Sequence, residues 1–545
     1  MATTMHIRSI KDIVRAIDNK AGEYAGKAGK RPGEALGEAL GGALGEVLID
    51  IELSLLPKLA LDIVDELHGT LQFIFAVDER SHNNGFSLHH IFGIPSKHCL
   101  LHLKSVIPAD APEFPSLALQ LPAMNWHERK IADMLGLTPV GHPDPRRLVL
   151  HEDWPQGVYP WRDDFDSKQK VPRVKGTYEF HRIEGEGVFE IAVGPVHAGI
   201  IEPGHFRFSS VGEKILYLEL RLFYKHRGIE RFMRGRSLLE GALVAERVSG
   251  DETVANSVAY SQAIERIFKV AIPERAQRLR AVFLELERMH CHLADIGGAA
   301  TDIAFSIGAA KAALLREKVM SLCEMVSGSR FLRGMIAPGG LRRDIDNEVI
   351  HRISSFIEIA LCDVKELEAT TFSRSSVIDR FMKTGVLSTE HALNLGVVGP
   401  VARASGIAVD TRTDYPYGFY AMHPLDIITR FDGDVAARVR LKFDEVRQSL
   451  GIIEAALGAI KSGAVRTGDF AVSSRGQALG WVEAPRGMTL CWVEIDDEAK
   501  IANCRLRTPS FNNWPALPYA LHGNIVPDFP LVNKSFNLSY AGNDL

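Results

Sequence analysis

The chain has 545 residues, more than one hydrophobic core ordinarily serves, so two domains are expected. Apolar residues make up 46 % and charged residues 24 %, a globular balance, and no run of about 18 apolar residues is present to span a bilayer. A net charge of −5 with interleaved basic and acidic residues argues against nucleic-acid binding, and the opening MATTMHIRSIKDIVRAIDNK lacks the apolar core of a signal peptide. The expectation is a cytoplasmic protein that meets a membrane only through partners.

In chain order, residues 1–48 read as an extension. A helix-like start leads into a Gly/Ala-rich run over 26–45, where Ala35, Leu36, Ala39, Leu40, Ala43, Leu44 and Leu48 recur at a helical period while intervening glycines weaken it. A helix docked on a partner and a mobile tail both stay open. Residues 49–170 form the second division. A helix near 59–67 precedes strands over 71–78, 86–93 and 99–107, whose β-branched content and short separations predict an antiparallel meander. Residues 108–170, rich in proline, aspartate and tryptophan, predict an extended, loop-heavy arm. Residues 171–545 change character, with strands over 189–193 and 205–209, then helical patterns to about 330 and again over 344–372 and 433–460. Strands return over 488–495 and 500–507. The fold class expected is α+β, a small antiparallel α/β domain followed by a large, mainly helical one.

Chemistry-bearing residues divide into lures and candidates. Cys99, Cys291, Cys323, Cys362, Cys491 and Cys504 lack the short spacings of a zinc or iron–sulfur site and read as reduced, mostly buried thiols. His127, Glu128 and His142 sit in a polar arm, but neighbours on a helix or strand point apart, so polar pairs within a docking surface are the simpler account. In ERMHCHLADIGG, His290, Cys291 and His292 splay by about 100° each on a helix, which leaves Glu287 and Cys291 alone on a shared face. Gly297-Gly298 and Gly339-Gly340 follow no strand in the way a dinucleotide site requires.

Longer motifs carry a resemblance. NWHERKIADMLGL, GHPDPRRLVL and HEDWPQG, in that order, resemble the 30 kDa subunit of complex I and its counterpart in membrane-bound hydrogenases. GPVHAGIIEPGHFR from Gly194, KHRGIE from Lys225, SRFLRG from Ser329, GPVARASG from Gly399, EAPRG from Glu483 and RTPS from Arg507 resemble the large subunit of group 4 [NiFe]-hydrogenases and the complex I 49 kDa subunit. The family keeps two Cys-x-x-Cys pairs whose thiolates bind nickel, a metal suited by soft, charged sulfur. Here Ser249 and Glu252 stand at the first pair and Ser539 and Gly542 at the second, so a [NiFe] centre is not expected.

What the resemblance implies for this sequence is a different pocket. Glu202 stands where hydrogenases keep a proton-relay glutamate, His205 near the quinone-facing histidine of complex I, and Arg486 where an arginine hangs over the metal. Asp251 and Glu252 add carboxylates at the former metal mouth. The tyrosine of the complex I quinone site falls at Gly250, leaving Tyr540 or Tyr260 as substitutes. No cofactor is expected in this chain; a [4Fe–4S] cluster is expected in a small partner subunit, with a ferredoxin-like subunit and antiporter-like membrane subunits as further partners. The complex would sit on the inner face of the cytoplasmic membrane.

Two functions follow as expectations. In one, the pocket takes electrons from the neighbouring cluster and reduces quinone or another acceptor, coupled to ion movement; a cavity lined by Glu202, His205 and Asp251 would mark it. In the other, the subunit is a non-catalytic scaffold or coupling element, marked by a closed pocket with Arg486 paired to Asp251 or Glu252.

Overall fold

Strand-forming residues between 70 and 108 pair as the meander requires. In the computed structural model, which describes residues 9–28, 45–83, 85–199, 201–468 and 475–545, strands Thr70–Asp78, Gly85–Ile94 and Cys99–Pro108 are antiparallel neighbours. Helix Leu56–Leu67 has proline in its first turn and stops at His68, which takes the left-handed conformation. A fourth strand, Gly45–Asp50, lies parallel to Cys99–Pro108 and was not anticipated. Residues 29–44, most of the Gly/Ala-rich run, lie outside the described residues.

The arm differs from expectation. Asn125–Leu135 is an α-helix, preceded by a single 3₁₀ turn over Pro122–Met124. Its buried face includes Glu128, Arg129, Lys130 and Asp133, so apolar periodicity could not reveal it. Those groups are satisfied locally. Asp133 accepts the backbone N–H groups of Leu148, Val149 and Leu150 at 2.8, 2.8 and 3.2 Å, and Arg129 donates to the carbonyls of Arg146 and Arg147 and to Asp144. Glu128 accepts from the Ser116 hydroxyl at 2.5 Å and the Leu117 N–H at 2.9 Å, while His142 turns to the Asn125 carbonyl. The motif is a brace for the turn that follows it.

The chain divides into two units, one of residues 1–180 with 394–396 and 414–417, the other of the remainder. The second unit is built on the long helices Glu274–Asp302, Ser306–Ser327, Asn347–Phe372 and Val435–Gly458. Two antiparallel three-stranded sheets accompany them. Lys214–Arg221 completes the first beside Val188–Val193 and His205–Val211, and Gly476–Ala484 the second beside Gly487–Ile495 and Ile501–Arg507. Both added strands escaped the sequence reading; KILYLELR is made largely of helix formers, and strand pairing overrides that preference. Helix Thr253–Ile267 lies so close on Gly476–Ala484 that a Cβ at Gly480 would stand 1.8 Å from the Ala259 carbonyl oxygen. Among the described residues no helix is long and apolar enough to cross a membrane.

Candidate functional site

Two short stretches of the second unit meet where the resembled family keeps its metal. The first, 246–252, joins helix Leu238–Ala245 to helix Thr253–Ile267; the second ends in the single-turn helix Tyr540–Asp544, with Ser539 as its N-cap. The hydroxyls of Ser249 and Ser539 lie 2.9 Å apart. Ser249 also donates to Asp251 at 2.7 Å, and Ser539 accepts the Gly542 N–H at 2.9 Å. Arg227 fastens the two stretches from outside, donating to the carbonyls of Arg247 and Val248 at 2.8 Å and of Ala541 at 2.9 Å.

Arg486 is delivered by the tight turn between Gly476–Ala484 and Gly487–Ile495. That turn is pressed onto Gly399, whose φ is +68° and whose hypothetical Cβ would meet the Arg486 carbonyl oxygen at 2.2 Å. The GPVARASG and EAPRG motifs are thus one backbone junction. From it the guanidinium spans two carboxylates, 2.6 Å from Asp251 and 3.2 Å from Glu252. Its Nε donates to the Asn537 carbonyl.

Two carboxylates share one guanidinium, so a single proton keeps the cluster neutral. Burial favours the neutral form of both acids, but at Asp251 the Arg486 charge and the Ser249 hydroxyl outweigh it and hold the carboxyl below its ordinary range. At Glu252 burial wins, helped by the Asp251 charge, and the carboxyl is raised. Of the two acids, Glu252 is the one whose neutral form its surroundings favour. About 34 % of the Asp251 side chain stays accessible against 1 % for Glu252, so the pair runs from rim to interior.

The other expected residues are placed differently. Glu202 approaches the same C-terminal turn from its far side, accepting the Ala541 N–H at 2.9 Å and pairing with Lys225 at 3.1 Å. His205 opens strand His205–Val211 and meets the Gly194 carbonyl at 3.2 Å, within its own hairpin. Asp251, Glu252 and Arg486 form one cluster; Glu202 touches its frame, and His205 is engaged in the hairpin. Of the two tyrosines, Tyr260 spends its hydroxyl on the Leu238 carbonyl. Tyr540 packs its ring against Gly204 and 5.0 Å from Trp514, beside the strand that carries His205.

Helix Glu274–Asp302 brings to the pocket Glu287 and Cys291, which the sequence reading took as structural, and Asp295, which it did not single out. Glu287, Cys291 and Asp295, four apart, form one stripe toward the pocket. Glu287 accepts the N–H groups of Val254 and Ala255 at the start of the next helix, and Cys291 donates to the Asp251 carbonyl at 3.2 Å. Glu285, Arg288 and His292 form a neighbouring stripe, with His292 2.7 Å from Glu445. In ERMHCHL, Glu287, Arg288, Cys291 and His292 each turn to a different partner. Charged residues at spacings of three and four inside an otherwise apolar helix were the available signal.

The donor set does not suit nickel. Serine hydroxyls replace two thiolates, and a Cβ at Gly542 would already sit 3.1 Å from Ser539 Cβ and Oγ. The one carboxylate at a ligand position, Glu252, faces a guanidinium that would repel a cation.

Comparison with known proteins matches this geometry to a lineage. Residues 51–171 match the family described as respiratory-chain NADH dehydrogenase, 30 Kd subunit, and residues 307–475 and 467–544 that of its 49 Kd subunit. Formate hydrogenlyase subunit 5 of Escherichia coli K12 is 34 % identical over 502 residues, spanning 91 % of this chain and 88 % of that protein. The chain belongs to the group 4 hydrogenase/complex I family. Within that family, hydrogenase-4 component G of the same organism is also 34 % identical, over 91 % of this chain and 87 % of that one. A solved large-subunit relative comes from the membrane-bound sulfane sulfur reductase, an archaeal respiratory membrane complex; it is 28 % identical with a TM-score of 0.62, covering 66 % of this chain and 99 % of that chain. As a group 4/complex I subunit, the chain is of the respiratory-type oxidoreductase class, with an α+β fold.

Proposed function

We propose that this chain is the large subunit of a membrane-associated respiratory-type oxidoreductase complex in which the former metal pocket acts as a coupling element. The single observation that carries the reading is the Arg486 guanidinium bridging Asp251 and Glu252 at the place of the family's metal. Such a cluster stores one proton and answers a nearby charge by releasing or taking it up. Electrons reaching a [4Fe–4S] cluster in a small partner subunit would supply that charge. A ferredoxin-like subunit would deliver the electrons, and antiporter-like membrane subunits would move the ions. The complex would lie against the inner face of the cytoplasmic membrane, held there by those subunits.

A second reading, in which the chain itself reduces quinone, draws on Tyr540. Its ring lies against Gly204 and faces Phe206 at 6.5 Å, the two residues either side of His205 in the chain, so this reading needs the head group to reach around that strand.

The test uses the purified complex with its partners intact. Nickel and iron are measured together with proton uptake on reduction and with reduction of a short-chain quinone by a low-potential donor. The coupling reading expects cluster iron without stoichiometric nickel, and proton uptake that Arg486→Gln abolishes. Nickel near one atom per chain would overturn it. Quinone turnover that His205→Ala and Tyr540→Phe suppress, with proton uptake indifferent to Arg486→Gln, would replace it with the second reading.

A further inference from the structure

The SRFLRG motif takes no part in the carboxylate cluster or in the hairpin, and its charges are unanswered. It forms the turn that follows helix Ser306–Ser327. Leu332, buried within that turn, holds a left-handed backbone with φ +56°, an uncommon state for a bulky side chain. The turn sets the guanidinium groups of Arg330 and Arg333 at 4.7 and 5.8 Å from the centroid of the Phe331 ring. The same ring lies 5.8 Å from that of His290 on helix Glu274–Asp302. A third arginine, Arg316 of helix Ser306–Ser327, acts on this imidazole. Burial lowers His290 to about 4, the Asp251 charge opposes the shift, and the Arg316 charge adds to it. Three cations thus gather about one ring pair.

What the corner lacks is a counter-charge. Among the described residues no carboxylate pairs with Arg316, Arg330 or Arg333, and the Nε atoms of Arg316 and Arg333 are closed off from solvent without an acceptor. Both side chains are only half-buried, so the outer edge of each guanidinium stays open. The acids that approach are engaged elsewhere. Glu246 accepts the Gly334 N–H at 2.8 Å and pairs with Arg247 at 3.3 Å, while Asp251 pairs with Arg486 at 2.6 Å. Partly desolvated cations without an anion are costly to hold together, and a planar N–H fork matches the two oxygens of a carboxylate.

We propose that Arg316, Arg330 and Arg333, gathered about Phe331 and His290, form an oxyanion site that takes a carboxylate. The site goes beyond the coupling reading and does not rest on it, because Arg486 already has its own acids. Two sources share this chemistry, a dissolved small dicarboxylate and an acidic side chain of an adjoining subunit.

Calorimetric titration of the full chain with sodium succinate, at an ionic strength held constant with chloride, is expected to show saturable binding. Arg316→Gln and Arg333→Gln should each weaken it by about tenfold or more. Arg352→Gln, which removes an exposed charge paired with Glu348 on another helix, should leave it unchanged. No saturable binding, or binding that both glutamine variants leave intact, overturns the site. Where a variant fails to fold, the parent chain decides. Phenylglyoxal modification of the three arginines, mapped by mass spectrometry, should fall when succinate is present, and equal labelling with and without it overturns the site. The assembled complex then separates the sources. Succinate that still binds there marks a dissolved ligand. Succinate excluded from the complex, with subunits that part at lower salt in Arg333→Gln, marks an acidic side chain of the neighbour.

Discussion

Glu128 was first read as one of a polar pair in a loop, and its position on a buried helix face changes what it does. Burial raises its carboxyl to about 7, against the bonds from Ser116 and Leu117. A folded-state pKa above the unfolded value means that the residue's contribution to stability is complete below the unfolded pKa and is lost as pH rises through about 7. Glutamine keeps an acceptor for the Leu117 N–H and a donor for Ser116 without a charge to bury. Glu128→Gln should therefore match the parent near pH 5 and exceed it by about 2–3 kcal/mol near pH 8.5, read as the difference in thermal midpoint. A constant offset at both pH values would reject the assignment. The same residue-level reasoning explains why the candidate pocket was only partly legible. Asp251, Glu252 and Arg486 lie far apart in sequence but stand on motif positions, so resemblance gathered them. Asn537, whose carbonyl takes the Arg486 Nε, stands on no such motif, and nothing in its spacing places it beside the sheet turn.

At the level of elements, the long helices and the central meander were readable because their apolar periodicity faces a core. Helix Asn125–Leu135 was not, since half its buried residues are charged groups, of which Arg129 and Asp133 bind the following loop. Its Asp133 makes a direct test. Asp133→Ala leaves three buried N–H groups without their acceptor and should cost about 3 kcal/mol or more in denaturant unfolding of the full chain, whereas Asp133→Asn should recover most of it. Equal losses in the two variants would show that packing, and not the three bonds, matters at this site. Strand Gly45–Asp50 was hidden for another reason: among the described residues its strand neighbour is Cys99–Pro108, a parallel partner distant in sequence, and no local turn announces it. Within that sheet Glu46, His102, His89 and Ser87 are joined by successive hydrogen bonds across three strands, a buried polar seam that alternation alone would have placed on a wet face.

Across the whole molecule the charges concentrate inside the second unit. Arg403 reaches Glu445 and Glu483 at 2.8 Å, Arg412 reaches Asp410 at 2.7 Å and Glu285 at 3.2 Å, and Tyr420 and Ser449 complete the shell of Glu285 at 2.6 Å. Burial opposes the charge on Glu285, but Arg288, Arg412 and the two hydroxyls prevail and bring its carboxyl down to about 2. A depressed carboxyl stabilises the fold above its unfolded pKa and ceases to as pH falls through the folded one. Stability should accordingly drop between about pH 4.5 and 2, with Glu285 contributing about 3 kcal/mol of that drop. In Glu285→Gln the unfolding curve should be lower at neutral pH and flatter across this window; an unchanged slope would assign the acid sensitivity to other groups. Sequence showed these residues as scattered motif charges. Only the fold reveals that GPVARASG, EAPRG and ERMHCHL contribute to one network.

Arg227 holds the pocket rim by three carbonyl oxygens, and Thr508 and Ser510 hold the adjoining turn through the Gly542 carbonyl and the Ser539 N–H. None of these bonds consults the side chains at 249, 252, 539 or 542. A socket built in this way keeps its shape whatever plugs it, so a metal can be exchanged for an internal salt without the surrounding scaffold registering a loss. The indifference stops at the last two positions themselves, since Ser539 caps the final turn and a Cβ at Gly542 would stand 3.1 Å from it.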